Sequence, residues 1–276
     1  MIYKKTPIEI DIIAQGGKIL ASILKELITE VKPGVSTLAL ENILVKRIKA
    51  AGGRPSFKDY DMGDGIYFPS ALCASINEEV VHGTAIPGRL LKSGDIIDLD
   101  IGMEWPVDPK IRAEIGAPIN KLSPGGGFYT DMCATVAVGK ISQEAKKLLR
   151  VTKECLIAGI NQAKVGNTLN DIGQAIEKIA KAHGYGVVRD LVGHGVGYLA
   201  HEDPNVFNYS IPVHSRENLR LEEGMVICIE PMINAGTWKV DVTDNNYTII
   251  TADNSLSAHF EHTLAITKNG PKILTQ

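Results

Sequence analysis

Four strand-like runs each carry acidic residues where a solvated charge is out of place, and this constrains the fold more than any other feature. Asp98 and Asp100 lie in 95–101, Asp131 in 128–136, Glu230 in 225–233 and Glu261 in 258–266. None of these runs contains Lys or Arg. A buried, unpartnered carboxylate costs several kcal/mol. Solvent exposure is the ordinary fate of any one acidic residue. For all four runs together that reading is strained, and the alternative is that the carboxylates share metal ions.

A fifth stretch, Gly193–Pro204, adds His194 and His201, seven residues apart behind a glycine-rich turn. That spacing does not match the one-turn His pair of a zinc-binding helix; it suggests two side chains converging from a turn and the segment after it.

With 276 residues, the chain is long enough for one large domain or two small ones. A net charge of −3 gives no electrostatic case for nucleic acid or anionic membranes. The start reaches charged residues before any apolar stretch long enough for a signal sequence, and no later segment approaches a membrane span, so cytoplasm is the expectation. Cys73, Cys133, Cys155 and Cys228 are far apart and read as buried free thiols.

Apolar periodicity predicts helices over 7–31, 36–52, 142–165 and 168–183, with Ser36 capping the second. Strands are expected over 71–82, along the Asp98/Asp100 run, and over 128–138, 187–191, 225–229, 247–250 and 262–266. Prolines and glycines make 104–127 a long loop, with a short helical turn near 110–115. If the strands of Asp100 and Asp131 pair antiparallel, the two side chains can face each other across the ladder; alternation does not choose between Asp98 and Asp100. Helix pairs followed by strands with a His and carboxylates occur twice, which suggests an internal repeat with halves of about 1–140 and 141–276 within one catalytic unit. The class is α+β with a mainly antiparallel sheet.

One His with four carboxylates is a mostly oxygen-donor set, which suits Mn, Fe or Co better than a single tetrahedral Zn. So many oxygens exceed what one ion needs, and two ions about 3.5–4 Å apart would acidify a bridging water. Hydrolysis follows as the reaction class.

The ordered motifs Ser75–Glu78, Val81–Gly83, Asp100, Thr130–Asp131, Val192–Gly197, His201–Pro204, Ile229–Met232, Asn234–Gly236 and Ser257–Thr263 resemble the type I methionine aminopeptidases over nearly the whole chain. That family has the curved, pseudo-twofold "pita-bread" fold shared with prolidase and creatinase. The resemblance implies removal of the initiator methionine from nascent proteins. It also implies Asp100, Asp131, His194, Glu230 and Glu261 as ligands to two divalent ions (Co, Mn, Fe or Zn), with Asp131 and Glu261 bridging. His82 and His201 would contact substrate and stabilise the tetrahedral intermediate, and Glu230 would manage the proton of the nucleophile. Phe68, Cys73 and Tyr247 map loosely to the methionine pocket. The expected partners are peptide N-termini, met by a monomer, and the resemblance to family members that work on nascent chains implies transient docking on the ribosome.

Three departures stand out: 104–127 looks like an insertion, Ala200 stands where an aromatic is common, and Gly102 replaces a frequent Thr. No zinc-finger extension precedes the core, which matches the short, bacterial-like form. His259 and His262 flank Glu261, with His259 on its face of the strand; Asp98, Glu202, Glu222 and Glu223 are expected to be solvated or turn-forming. The same-fold alternatives are an Xaa-Pro aminopeptidase or dipeptidase, which usually carries an extra N-terminal domain, and a silent binding module, which would need lost ligands.

Overall fold

Helices begin at polar caps, where the sequence puts them. The structure, a computed structural model, describes residues 2–63 and 65–276. Thr6 caps α1 (Pro7–Glu30) reciprocally with Glu9: the Glu9 N–H donates to the Thr6 hydroxyl, and the Thr6 N–H donates to the Glu9 carboxylate at 2.8 Å. The Gly16–Gly17 pair survives inside α1 because of close packing: a Cβ on Gly17 would stand 2.3 Å from the Leu274 carbonyl oxygen. Ser36 caps α2 (Thr37–Ala50), accepting from the Ala39 N–H.

After β1 (Arg54–Pro55), the single strand expected over 71–82 is two strands, β2 (Leu72–Ile76) and β3 (Glu79–Val81). Asn77 breaks the run with φ 58°, a left-handed conformation that Asn tolerates. Next comes β4 (Ile96–Trp105), buried along its whole length. It takes in Glu104 and Trp105, the first two residues of the loop expected over 104–127. Glu104 is fully buried and held by the Arg54 guanidinium at 2.6 and 2.9 Å and by the Gly127 N–H. The loop beyond carries α3 (Pro109–Glu114), capped by Asp108, and leads to β5 (Phe128–Ala137).

The second helix pair is α4 (Gln143–Gln162) and α5 (Leu169–Ala182). Short strands follow: β6 (Gly186–Val187), β7 (Gly193–Gly195), β8 (Glu202–Val206), β9 (Val226–Ile229), β10 (Met232–Asn234), β11 (Val240–Val242), β12 (Ile249–Thr251), β13 (Ser257–His259), β14 (His262–Thr267) and β15 (Gly270–Ile273).

Among the described residues all strand pairings are antiparallel, but the sheet is subdivided. β4 is flanked by β2 and β5, with β1 also on β4; the other orders are β13-β10-β6, β11-β12-β3 and β15-β14-β9-β7-β8. An Ala134–Phe260 bridge ties β5 to the segment after β13. Two hydrophobic clusters fill the space under the helices. Leu20, Leu27 and Leu44 pack with Leu72 and Leu99 in one; Leu148, Val151 and Ile176 pack with Ile227 and Ile229 in the other. Each such side chain contributes about 1.5–3 kcal/mol through its burial. The four cysteines are free and buried. No helix among the described residues is long and apolar enough to cross a membrane.

Candidate metal centre and side-chain pocket

The antiparallel register of β4 and β5 sets Asp100 opposite Cys133 and Asp131 opposite Gly102. The two aspartates are therefore diagonal neighbours on one face rather than a directly opposed pair, still close enough to converge. Glu261 joins them from the bend between β13 and β14, where its N–H donates to the Cys133 carbonyl. Thr263 fastens that bend: its hydroxyl donates to the Asp131 carbonyl at 2.7 Å and accepts the Asp131 N–H at 3.0 Å. As a result Asp100, Asp131 and Glu261 each present an oxygen within 4.8 Å of the others.

His194 comes from the middle of β7. A Cβ on Gly193 would lie 2.4 Å from the Cys228 carbonyl oxygen, and one on Gly195 2.3 Å from that of Asp203, so only glycines let β7 fit there. The His194 Nδ1 is 2.8 Å from the Gly195 carbonyl oxygen. A carbonyl can only accept, so Nδ1 carries the proton and Nε2 is left as a lone-pair donor. That Nε2 lies 3.5 Å from Glu230.

Asp100 Oδ1, Asp131 Oδ1 and Glu261 Oε1 are buried with no hydrogen-bond partner among the described residues. Burial pushes the Asp100 carboxyl up to about 8 and holds Asp131 and Glu261 well above the usual carboxylate range, and repulsion from neighbouring carboxylates adds to this. Left to themselves these groups would not all ionise near neutral pH. Orphaned oxygens on three converging carboxylates beside a free imidazole nitrogen fit a divalent cation site.

Sequence reasoning missed part of the surroundings. Asp98, expected to be solvated, is 3% exposed. Its carboxylate lies 3.2 Å from His259 Nδ1, and His259 Nε2 lies 3.5 Å from Glu230. Burial opposes a charge on His259, but Asp98 and Glu230 outweigh it and hold the ring well above the ordinary histidine range. Asp98 and His259 face the same way as Asp100 and Glu261 respectively, and strand alternation was the available signal. His262 points away, to Thr275. Glu202, also expected to be solvated, is buried; Glu222 and Glu223 are at the surface with Lys4 and Lys268.

His82 and His201 stand at the same cavity. The His82 backbone has φ 57°, a sparsely populated conformation for a non-glycine residue. Burial holds His82 below its ordinary range. His201 meets His194 edge-on with ring centroids 4.4 Å apart, and its Nδ1 is 2.7 Å from the Tyr60 hydroxyl. Its position inside the cleft, with His194 and His82 alongside, keeps it well below the usual histidine range.

The cavity holds about 380 Å³, and part of its wall is apolar, built from Phe57, Tyr60, Met62, Phe68 and Cys73. Phe68 and Cys73 are thus on the wall, and Tyr247 packs against the same cluster, its ring edge-on to Phe68 at 5.7 Å. Gly102 has a role here: a Cβ on it would stand 2.1 Å from the Ser56 hydroxyl oxygen and 2.9 Å from the Phe57 ring, so its bare Cα admits Phe57 to the pocket.

Comparison with known proteins fits this geometry. Residues 11–107 and 122–268 match the profile of Metallopeptidase family M24, and the gap between them falls within the 104–127 segment. A methionine aminopeptidase of Clostridium acetobutylicum is 42% identical, the match covering all of this chain and 99% of that protein. A crystal structure of methionine aminopeptidase from Thermotoga maritima superposes over the full length of both chains with TM-score 0.87 at 36% identity. The prolidase of Pyrococcus horikoshii, at 22% identity and TM-score 0.71, shares the fold over 99% of this chain and 63% of its own. The chain belongs to metallopeptidase family M24, has its pita-bread fold, and lies on the methionine aminopeptidase branch.

Proposed function

We propose that the chain releases the N-terminal methionine of peptides and newly made proteins by metal-dependent hydrolysis in the cytoplasm. The observation that carries this reading is the convergence of three orphaned, buried carboxylate oxygens in a cavity that also has an apolar wall. Asp100, Asp131, His194, Glu230 and Glu261 would hold two divalent ions (Mn, Fe, Co or Zn). Such ions supply positive charge and a water acidic enough to ionise near neutral pH.

The chain's own residues do the rest. The methionine side chain enters the pocket of Phe57, Met62, Phe68 and Cys73, where an apolar, polarizable wall suits a thioether. This sets the first peptide bond beside Glu230, His82 and His201. Glu230 takes a proton from the attacking water and returns it to the leaving amine as the C–N bond breaks. His82 and His201 donate to the carbonyl oxygen as it gains negative charge. His201 is suited to this as a neutral ring: with the Tyr60 hydroxyl donating to Nδ1, Nε2 carries the proton that faces the substrate.

Replacement of Glu261 by Ala tests the reading. Both metal binding, followed by calorimetry, and turnover of Met-Ala-Ser should vanish; retained turnover refutes the assignment. Faster cleavage of Ala-Pro than of Met-Ala-Ser by the reconstituted protein would instead favour an Xaa-Pro peptidase.

A further inference from the structure

A cation from the start of the chain is buried beneath the turn that presents His201. The side chains of Lys5 and Glu202 are 1% and 0% exposed, and they pair at 2.5 Å. Glu202 also accepts the backbone N–H groups of Tyr198 and Leu199, the latter at 2.9 Å, so one carboxylate closes the turn that has Ala200 and His201 at its crown. The Lys5 ammonium sits over the Tyr198 ring, 5.1 Å from its centroid, and the Tyr198 hydroxyl donates to Glu9 at 2.9 Å. The Lys5 N–H is itself fixed to the Gly224 carbonyl at 2.8 Å.

An isolated buried ion pair contributes little net stability, because apolar residues of similar volume often do as well or better. What it does supply is a defined geometry. A carboxylate that must meet an ammonium and two N–H groups at once has one position, and the neighbouring residue inherits it. Burial pulls the Lys5 ammonium below its ordinary range, and the facing Glu202 is the main group opposing that.

We propose that the Lys5–Glu202 pair is a positioning device for the reaction, fixing the 198–202 turn so that His201 stands edge-on to His194 and within reach of the Tyr60 hydroxyl. The inference rests on the role given to His201 above. It makes a segment remote in sequence part of the catalytic geometry without any contact with substrate.

The test is a double-mutant cycle on the metal-loaded full chain, with Lys5→Met, His201→Ala and the combination assayed on Met-Ala-Ser. Lys5→Met should lower kcat roughly ten- to a hundredfold while KM and calorimetric metal affinity stay within about twofold, the signature of a misplaced group rather than a lost site. In the His201→Ala background the same substitution should have no further effect. A Lys5→Met enzyme with the parent kcat overturns the proposal, and so does an equal loss with or without His201. Should His201→Ala alone keep the parent kcat, the role of His201 fails, which is read separately from Lys5. If Lys5→Met does not fold, the Lys5→Met/Glu202→Gln variant, which leaves no buried charge, takes its place in the cycle. Its kcat deficit should likewise vanish with His201→Ala, and persistence of the deficit overturns the proposal.

Discussion

Removing the metal should turn the centre into a source of pH-dependent instability, and Asp100 gives the size of the effect. Its carboxyl is pushed from an ordinary 3.8 to about 8 by burial, and the negative neighbours Asp98 and Glu230 add to this. Between those two values the folded, metal-free protein holds a proton that the unfolded chain has released. Stability therefore falls as pH rises: the loss starts above about 4, is complete above about 8, and runs at about 1.4 kcal/mol per pH unit for one such group. From about pH 5.5 to 8 a single carboxyl accounts for up to about 3 kcal/mol, with Asp131 and Glu261 acting in the same direction. Urea unfolding of chelator-treated protein at the two pH values measures this directly. Asp100→Asn should flatten the slope and raise the midpoint at the higher pH, while losing the stabilisation that added Mn gives the parent. If chelated parent protein is as stable at the higher pH as at the lower, or if Asp100→Asn keeps the parent slope, the carboxylates are relieved by something other than a cation.

Other expectations follow from the same geometry. His201→Ala should reduce kcat about 10²-fold with little change in metal content. Tyr60→Phe should cost less, about tenfold, because it loosens the tautomer without removing the donor; steady-state kinetics with metal analysis checks both. Gly102→Ala pushes a methyl into Ser56 and Phe57, so thermal or urea unfolding should show about 1–3 kcal/mol of destabilisation. It should also raise KM for methionyl peptides. Phe68→Ala opens the pocket, and its clearest sign should be weaker discrimination between methionine and smaller first residues in competition assays.

Much of this was legible in the residues, for identifiable reasons. The long helices announce themselves by caps and by apolar spacing, so Ser36 and the stripe of α2 fall where expected. Carboxylates in apolar runs were visible because burial and charge conflict locally. What escaped is nonlocal. Glu202 looks like a solvated residue until Lys5, 197 positions away, is brought under it. Asp98 and His259 share faces with their metal-site neighbours, but only the packing of β13 beside β5 shows that they meet. Short strands such as β7 and β10 carry too few residues to display a period and are defined by their partners.

Asp100 and Asp131 sit on strands packed largely into one hydrophobic cluster, whereas Ile229 and Phe260, the immediate neighbours of Glu230 and Glu261, belong to the other. An ion bound among them is therefore a rivet across a seam. Starved of it, the two banks meet at buried, protonated carboxyls where they should be clamped, and a protease should find its first cut there before either bank melts. Metal scarcity would then shorten the lifetime of the molecule as well as idle it.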